Sequence, residues 1–396
     1  MLQIFLSIII GILLGTISGL TPGIHMNLVS IIILTIYSKL SNIDPIIAAS
    51  TIIAMSITHT FLDFIPSTYL GAPNDETIQN ALPSHKYLLQ GKAYEAIKLS
   101  IIGSYLGLLQ IILITPLLIP LIPILYTLIE AYIPYILIIL SITLILKDQQ
   151  PLKSLLIFLL AGSLGYITLN LKNLQEPLFP LFSGLFGTSS ILLSLKNKIK
   201  IPKQIITTPK LKTFKTIHHL NLGLISSILT GFLPGLGAAQ AATISSALNK
   251  EKSDKYYILL TGSINTVVMV LSIVALYTIK KSRNGAILVV SKIIPNLNLN
   301  TLILLMTIAL ITASLATSYS LFLAKKFSFY ITKINYQYLS ISILIFIIFL
   351  TIIISKPLGL LILTISTFLG FLPILTNIPR NQLMGSLLIP VILYYF

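Results

Sequence analysis

The chain has 396 residues, 55% of them hydrophobic and only 9% charged, with a mean hydropathy of +0.97. Water-soluble domains carry roughly 25% charged residues, so a soluble globular fold is excluded. The net charge of +16 sits mostly in lysines between apolar runs, as the positive-inside rule expects, and no basic stripe interleaved with aromatics points to nucleic acid. The absence of cysteine excludes disulfides, thiolate metal sites and a cysteine nucleophile.

Taken in order, apolar runs fall near 2–18, 24–38, 44–66, 97–122, 124–146, 152–170 and 178–195. They resume near 219–233, 236–248, 256–279, 299–324, 336–355, 357–376 and 381–396. Runs near 20 residues cross a ~30 Å hydrocarbon core as helices. The expectation is an all-α, multi-pass protein of the cytoplasmic membrane with about 10–12 crossings, some of the shorter runs being re-entrant. The first run lacks the positive flank of a signal peptide and reads as a retained membrane segment. Residues 196–217 hold seven lysines and no acidic residue, with Pro202 and Pro209 opposing a continuous helix. This stretch reads as a cytoplasmic linker between a first membrane repeat, 1–195, and a second, 218–396. Binding of lipid headgroups or a partner is the alternative for it.

Two of the runs are interrupted in the same way. Gly19-Leu20-Thr21-Pro22-Gly23 breaks the first, and Gly231-Phe232-Leu233-Pro234-Gly235-Leu236-Gly237 breaks its counterpart, 212 residues later. The same offset brings Pro83 onto Pro295. Paired, proline-interrupted segments in two halves point to a transporter's binding site and to pseudo-symmetric, inverted repeats. A break in hydrocarbon is tolerated only inside protein or beside a watery cavity, because each freed N–H or C=O costs several kcal/mol. A helix restarting at Ile24 or Leu236 would aim free N–H groups and a positive dipole end inward, which suits an anion. His25, Asn27 and Ser30 stand near the first break, and Gly237, Gln240 and Thr243 near the second.

Other polar residues interrupt the apolar runs. His59 and Asp63 are four apart, on one helical face; they could relay protons or help hold Na⁺, or Asp63 could be an interfacial cap before Pro66. Asn265 and Thr266, beside Ser263, suit substrate contact or interhelical hydrogen bonding. Lys280, Lys281 and Arg283 read as an interfacial anchor or as an attractor of anions. The segment 67–77 is a candidate second re-entrant turn.

The two glycine-proline motifs resemble those of the large membrane subunit of tripartite tricarboxylate transporters, the TctA family, in a divergent archaeal-type form. The likeness extends through Asp44-Pro45, the segment from Ile65 to Pro73, Leu82-Pro83 and Gly91-Lys92-Ala93. It implies cation-driven uptake of carboxylates, with a small membrane subunit and an extracytoplasmic binding protein as partners. The resulting expectation is a transporter rather than an enzyme, with no cofactor and with Na⁺ or H⁺ as the coupling ion. Substrate carboxylates would meet the backbone of Gly23, Ile24 and His25 after Pro22, and of Gly235, Leu236 and Gly237 after Pro234. Asn27, Gln240, Asn265 and Thr266 would add side-chain donors, and His59 and Asp63 would couple the ion. A flippase for a phosphorylated lipid carrier is the alternative, since helix N-termini grip phosphate equally well. An intramembrane enzyme ranks lower, because no His-Glu-x-x-His motif or activated nucleophile is visible.

Overall fold

The computed structural model describes residues 2–21, 26–39, 43–70, 78–196, 202–231, 237–238, 241–242, 244–245, 253–282, 284–331, 333 and 336–396. Every regular element among them is helical, and seven helical stretches are long and apolar enough to cross a membrane. The described chain divides into two compact units. One takes the described residues within 1–69, 76–126 and 201–333; the other takes those within 127–200 and 334–396, together with Leu70. Each unit therefore draws on both sides of the basic linker.

The first unit begins with α1 (Leu2–Leu20), α2 (Met26–Lys39), α3 (Pro45–Leu62) and α4 (Phe64–Leu70). Asp44 starts α3 by accepting a hydrogen bond from the Ile46 N–H at 2.8 Å, with Pro45 at the first helical position. Next come α5 (Ile78–Leu89) and α6 (Ala93–Ile129), which crosses Pro116, Pro120 and Pro123 without ending. The apolar pattern predicts a division at 122–124; instead the prolines, spaced four and three apart, keep their lost hydrogen bonds on one side, so the helix continues. Leu113, Leu117, Ile124 and Leu128 are more than half exposed on it, as a lipid-facing surface requires. After the linker come α11 (Thr213–Gly231), α12 (Asp254–Ile279), α13 (Gly285–Ile293) and α14 (Leu299–Tyr330), α7 to α10 belonging to the second unit.

Two helices form the interior of this unit. In the spanning windows of α3–α4 and of α12, 83% and 94% of residues are buried, against 33% for α1. Small residues let their neighbours approach closely. A Cβ at Gly11 of α1 would lie 2.5 Å from the Ala54 Cβ and 2.7 Å from the Thr51 carbonyl oxygen of α3; one at Gly19 would lie 2.8 Å from the Leu62 Cβ. On α11, Gly223 faces Ile264 and Ser263 of α12, and Gly231 faces Leu271. The glycines and the residues they face, Thr51 with Ser263 and His59 with Leu271, are again 212 apart. Across the linker, α3 packs against α14, while α6 packs against α12. There a Cβ at Gly103 would lie 2.0 Å from the Leu259 carbonyl oxygen, and the Ser104 hydroxyl donates to the Gly262 carbonyl at 3.0 Å.

The described part of the linker, 202–212, is extended and docked. Gln204 accepts from the Ala93 N–H at 3.0 Å and donates to the Leu88 carbonyl at 3.1 Å. Ile205 donates its N–H to the Gly91 carbonyl at 2.7 Å, and Gly91 adopts a left-handed φ of 75°, which favours glycine. Leu211 packs beside Ala96, Leu99 and Ile258. Residues 213–217 form the first turn of α11 rather than linker.

The second unit contains α7 (Ile133–Leu146), α8 (Pro151–Asn170), α9 (Leu178–Phe182), a π-helical turn at 183–188, α10 (Ser189–Lys196), α15 (Tyr336–Thr376) and α16 (Gly385–Tyr395). α15 is broken at Lys356, whose φ is 59° ahead of Pro357; the predicted pair of runs, 336–355 and 357–376, meets at this point. Arg380 serves the π turn, donating to the carbonyls of Leu185 at 2.9 Å and Phe186 at 3.2 Å and to the Ser189 hydroxyl at 2.7 Å. Burial lowers its pKa to about 10, which leaves it charged at neutral pH.

Candidate functional site: a polar seam between α3 and α12

One line of buried polar residues runs along α3 and α4. Ser56, Thr60, Asp63 and Ser67, at steps of four, three and four, are each at most 1% exposed. That spacing keeps all four on one face of the α3–α4 rod. Asp63 stands at the joint: its N–H donates to the His59 carbonyl at 3.0 Å, and its own carbonyl accepts from Ser67 N at 3.3 Å. Pro66 has no N–H, so the Leu62 carbonyl lacks its usual helical donor four residues on. A backbone oxygen is thereby released one residue from the carboxylate.

α12 supplies the opposite face. Asn265 Nδ2 donates to Asp63 Oδ2 at 2.9 Å, and Thr266 Oγ1 lies 3.3 Å from Thr60 Oγ1. The Thr60 hydroxyl donates to the Ile57 carbonyl at 2.9 Å, so its lone pairs are what it offers Thr266. Asn265 is 2% exposed and Thr266 is fully buried. Asn265 Oδ1, Ser56 Oγ and Ser67 Oγ have no hydrogen-bond partner among the described residues. Buried polar atoms of that kind are uncommon and call for an occupant or a role.

The described residues among those predicted are thus distributed over four places. Asp63, Asn265 and Thr266 meet in the seam. His59 turns toward α1, where its Nδ1 lies 3.0 Å from Ser18 Oγ, and the Ser18 hydroxyl also reaches the Gly15 carbonyl at 3.3 Å. Asn27 is at the start of α13: its Oδ1 accepts from the Ala286 N–H at 3.2 Å, beside the Asn284 cap on Ile287 at 2.8 Å. Gly237 opens a helical turn, its carbonyl accepting from Ala241 at 3.2 Å. Pro22, Gly23, Ile24, His25, Pro234, Gly235, Leu236 and Gln240 lie outside the described residues, as do Thr243, Arg283 and 71–77. Sequence reasoning missed Thr60, Ser56 and Ser67, although the hydroxyl spacing through "SITHTFLDFIPS" carried the signal.

Fold and seam together define a multi-pass, all-α membrane protein with a polar interior built from helices distant in sequence. The chain belongs to the tripartite tricarboxylate transporter TctA family, whose model matches residues 5–385. It is also similar to the uncharacterized protein MJ1079 of Methanocaldococcus jannaschii, at 34% identity over 402 residues, covering 98% of each chain. No solved structure matches it.

Proposed function

We propose that the protein is the large membrane component of a cation-coupled uptake system for organic anions of the di- and tricarboxylate class, working in the cytoplasmic membrane. The observation that carries this reading is the paired packing of α1 on α3 and α11 on α12 at one constant offset. Each Pro-Gly segment directly follows the outer helix of a pair, after Leu20 and after Gly231. Two inverted repeats would then present two helix starts to a shared centre. Backbone N–H groups of Gly23–His25 and Gly235–Gly237 would receive the carboxylates. Asn27, Gln240, Asn265 and Thr266 would orient them, with Asp63 and His59 coupling the ion. A small membrane subunit and an extracytoplasmic binding protein complete the system, the binding protein handing over the substrate.

The test is a thermal-stability panel on purified protein: di- and tricarboxylates, amino acids, inorganic phosphate and a polyprenyl phosphate. A ligand at 100 times its Kd stabilises the native state by about 2.7 kcal/mol, which is readily measured. A carboxylate response lost in Gly23→Val and Gly235→Val is the expected result. A response to the polyprenyl phosphate alone would replace uptake with lipid flipping.

A further inference from the structure

The docked strand at 202–212 is patterned the wrong way round for water. Polar residues ordinarily take the exposed positions of a soluble surface, and a patch of exposed large apolar side chains marks a contact. Here Gln204 is buried, while Ile205 and Ile206 are 60% and 48% exposed. Polar groups fasten the strand along its length. Gln204 and the Ile205 N–H grip Leu88, Ala93 and Gly91. The Thr207 hydroxyl donates to Glu95 at 2.7 Å, and the Lys212 N–H donates to the Tyr256 hydroxyl at 3.1 Å. The two isoleucine side chains stand outside these contacts, with exposed Lys203 before them and exposed Lys210 and Lys212 after. Phe214, 85% exposed, and Ile217 carry the apolar surface into α11, where Ile225 and Leu229 are exposed on the same broad face.

We propose that residues 203–217 form an anchor for anionic lipid. Ile205, Ile206 and Phe214 sit at the boundary between headgroups and acyl chains, and Lys203, Lys210 and Lys212 meet the phosphates. Continuity with α11 sets the depth. Its exposed face passes from Leu229 and Ile225 to the polar Asn221 and His218, where hydrocarbon gives way to headgroups. Ile217 and Phe214 follow within about 10 Å at 1.5 Å per residue, the layer in which amphipathic segments lie. Charge selects the lipid. Glu95 is engaged by Thr207, and Asp254 pairs with Lys86 at 2.5 Å. Lys92, Lys203, Lys210 and Lys212 have no carboxylate partner among the described residues, so this end presents an excess of cations to a leaflet of negative surface potential. The anchor is independent of the substrate and of the transport reading. Its consequence is that leaflet charge bears on the α5–α6 joint, because the same strand holds both.

The chain contains no cysteine, so Ile206→Cys accepts a single environment-sensitive fluorophore. The labelled full chain is placed in nanodiscs of phosphatidylcholine, alone or mixed with phosphatidylglycerol. Quenchers are carried on the lipid near its headgroup or dissolved in the water as iodide. With phosphatidylglycerol the label should be quenched from the lipid and protected from iodide. In phosphatidylcholine alone, or in high salt, that order should reverse. Lys203→Gln, Lys210→Gln and Lys212→Gln should each lower the ratio of lipid-seated to water-exposed label about five-fold. Phe214→Cys repeats the comparison from the other end of the segment, and Ile225→Cys should be quenched from the lipid in every mixture. Iodide quenching at 206 and 214 in all mixtures would make the strand a solvated linker and overturn the anchor. Lipid quenching that ignores phosphatidylglycerol and the three lysines overturns the anionic site. Protection from both quenchers replaces lipid with protein, a partner subunit or a second copy of this chain.

Discussion

The α1–α3 pair and the α11–α12 pair are built alike and equipped differently. In both, an outer helix presses glycines onto an inner one at matching positions, Gly11 and Gly19 in the first and Gly223 and Gly231 in the second. The inner helices then diverge. Asp63 of the first corresponds at the common offset to Ala275 of the second, and His59 to Leu271; Asn265 and Thr266 correspond to Ile53 and Ala54. Packing positions are shared while chemical positions are divided, so one helix brings the carboxylate and the other its amide partner. The lesson is that a paired frame can hold an asymmetric site, provided the polar groups face each other across it.

Closeness of approach differs even within the frame, and this gives the largest expected effects. Gly103→Ala puts a Cβ 2.0 Å from the Leu259 carbonyl oxygen, and Gly11→Ala puts one 2.5 Å from the Ala54 Cβ. Backbone cannot yield cheaply, and overpacking of this kind destabilises by about 1–3 kcal/mol. At Gly223 the nearest atom would be Ile264 Cγ1 at 3.4 Å, an ordinary contact. Gly223→Ala should therefore be neutral, or stabilising by up to about 1 kcal/mol through helix propensity. Thermal midpoints of the three variants decide it, and equal losses at 11 and 223 would contradict the packing.

The division of chemistry is tested next. Asp63→Ala leaves Asn265 Nδ2 without its acceptor, at a cost of about 1–3 kcal/mol. Adding Asn265→Leu removes the orphaned amide, so the double variant should be more stable than Asp63→Ala alone while remaining inactive in uptake. Denaturation midpoints that simply add would show that the two residues do not interact.

The smallest effects belong to the start of α13. Asn284→Ala should cost about 1 kcal/mol, as loss of an N-cap does. Asn27→Ala should cost less, its bond to Ala286 being 3.2 Å against 2.8 Å for the cap. A reversal in hydrogen exchange at Ala286 and Ile287 would make Asn27 the principal cap.

Much of the fold was legible because apolar runs and prolines act locally. The run 256–279 became α12 with a two-residue extension, and the joint at Lys356-Pro357 was readable as a gap between runs. Pro123 was misleading because a proline's effect depends on the face it shares with Pro116 and Pro120, which composition alone does not weigh. In the site, Asp63 and Asn265 each stood out as polar residues in greasy surroundings. Their pairing did not, since 202 residues separate them and only the packing of α3 on α12 brings them together. Thr60 was hidden by the frequency of threonine in such helices.

The exchange of partners, α6 against α12 and α14 against α3, has a consequence for how the chain is made. Ser100, Gly103, Ser104 and Gly107 of α6 dock on residues 259–263, which the ribosome supplies some 150 residues later. At about 5–20 residues per second, that face waits in lipid for about 10–30 seconds. It is suited to waiting: the Ser100 hydroxyl bonds back to the Ala96 carbonyl of its own helix at 3.3 Å, and glycine presents little for lipid to disturb. Synthesis thus leaves a vacant berth on the first half, and arrival of the second closes it.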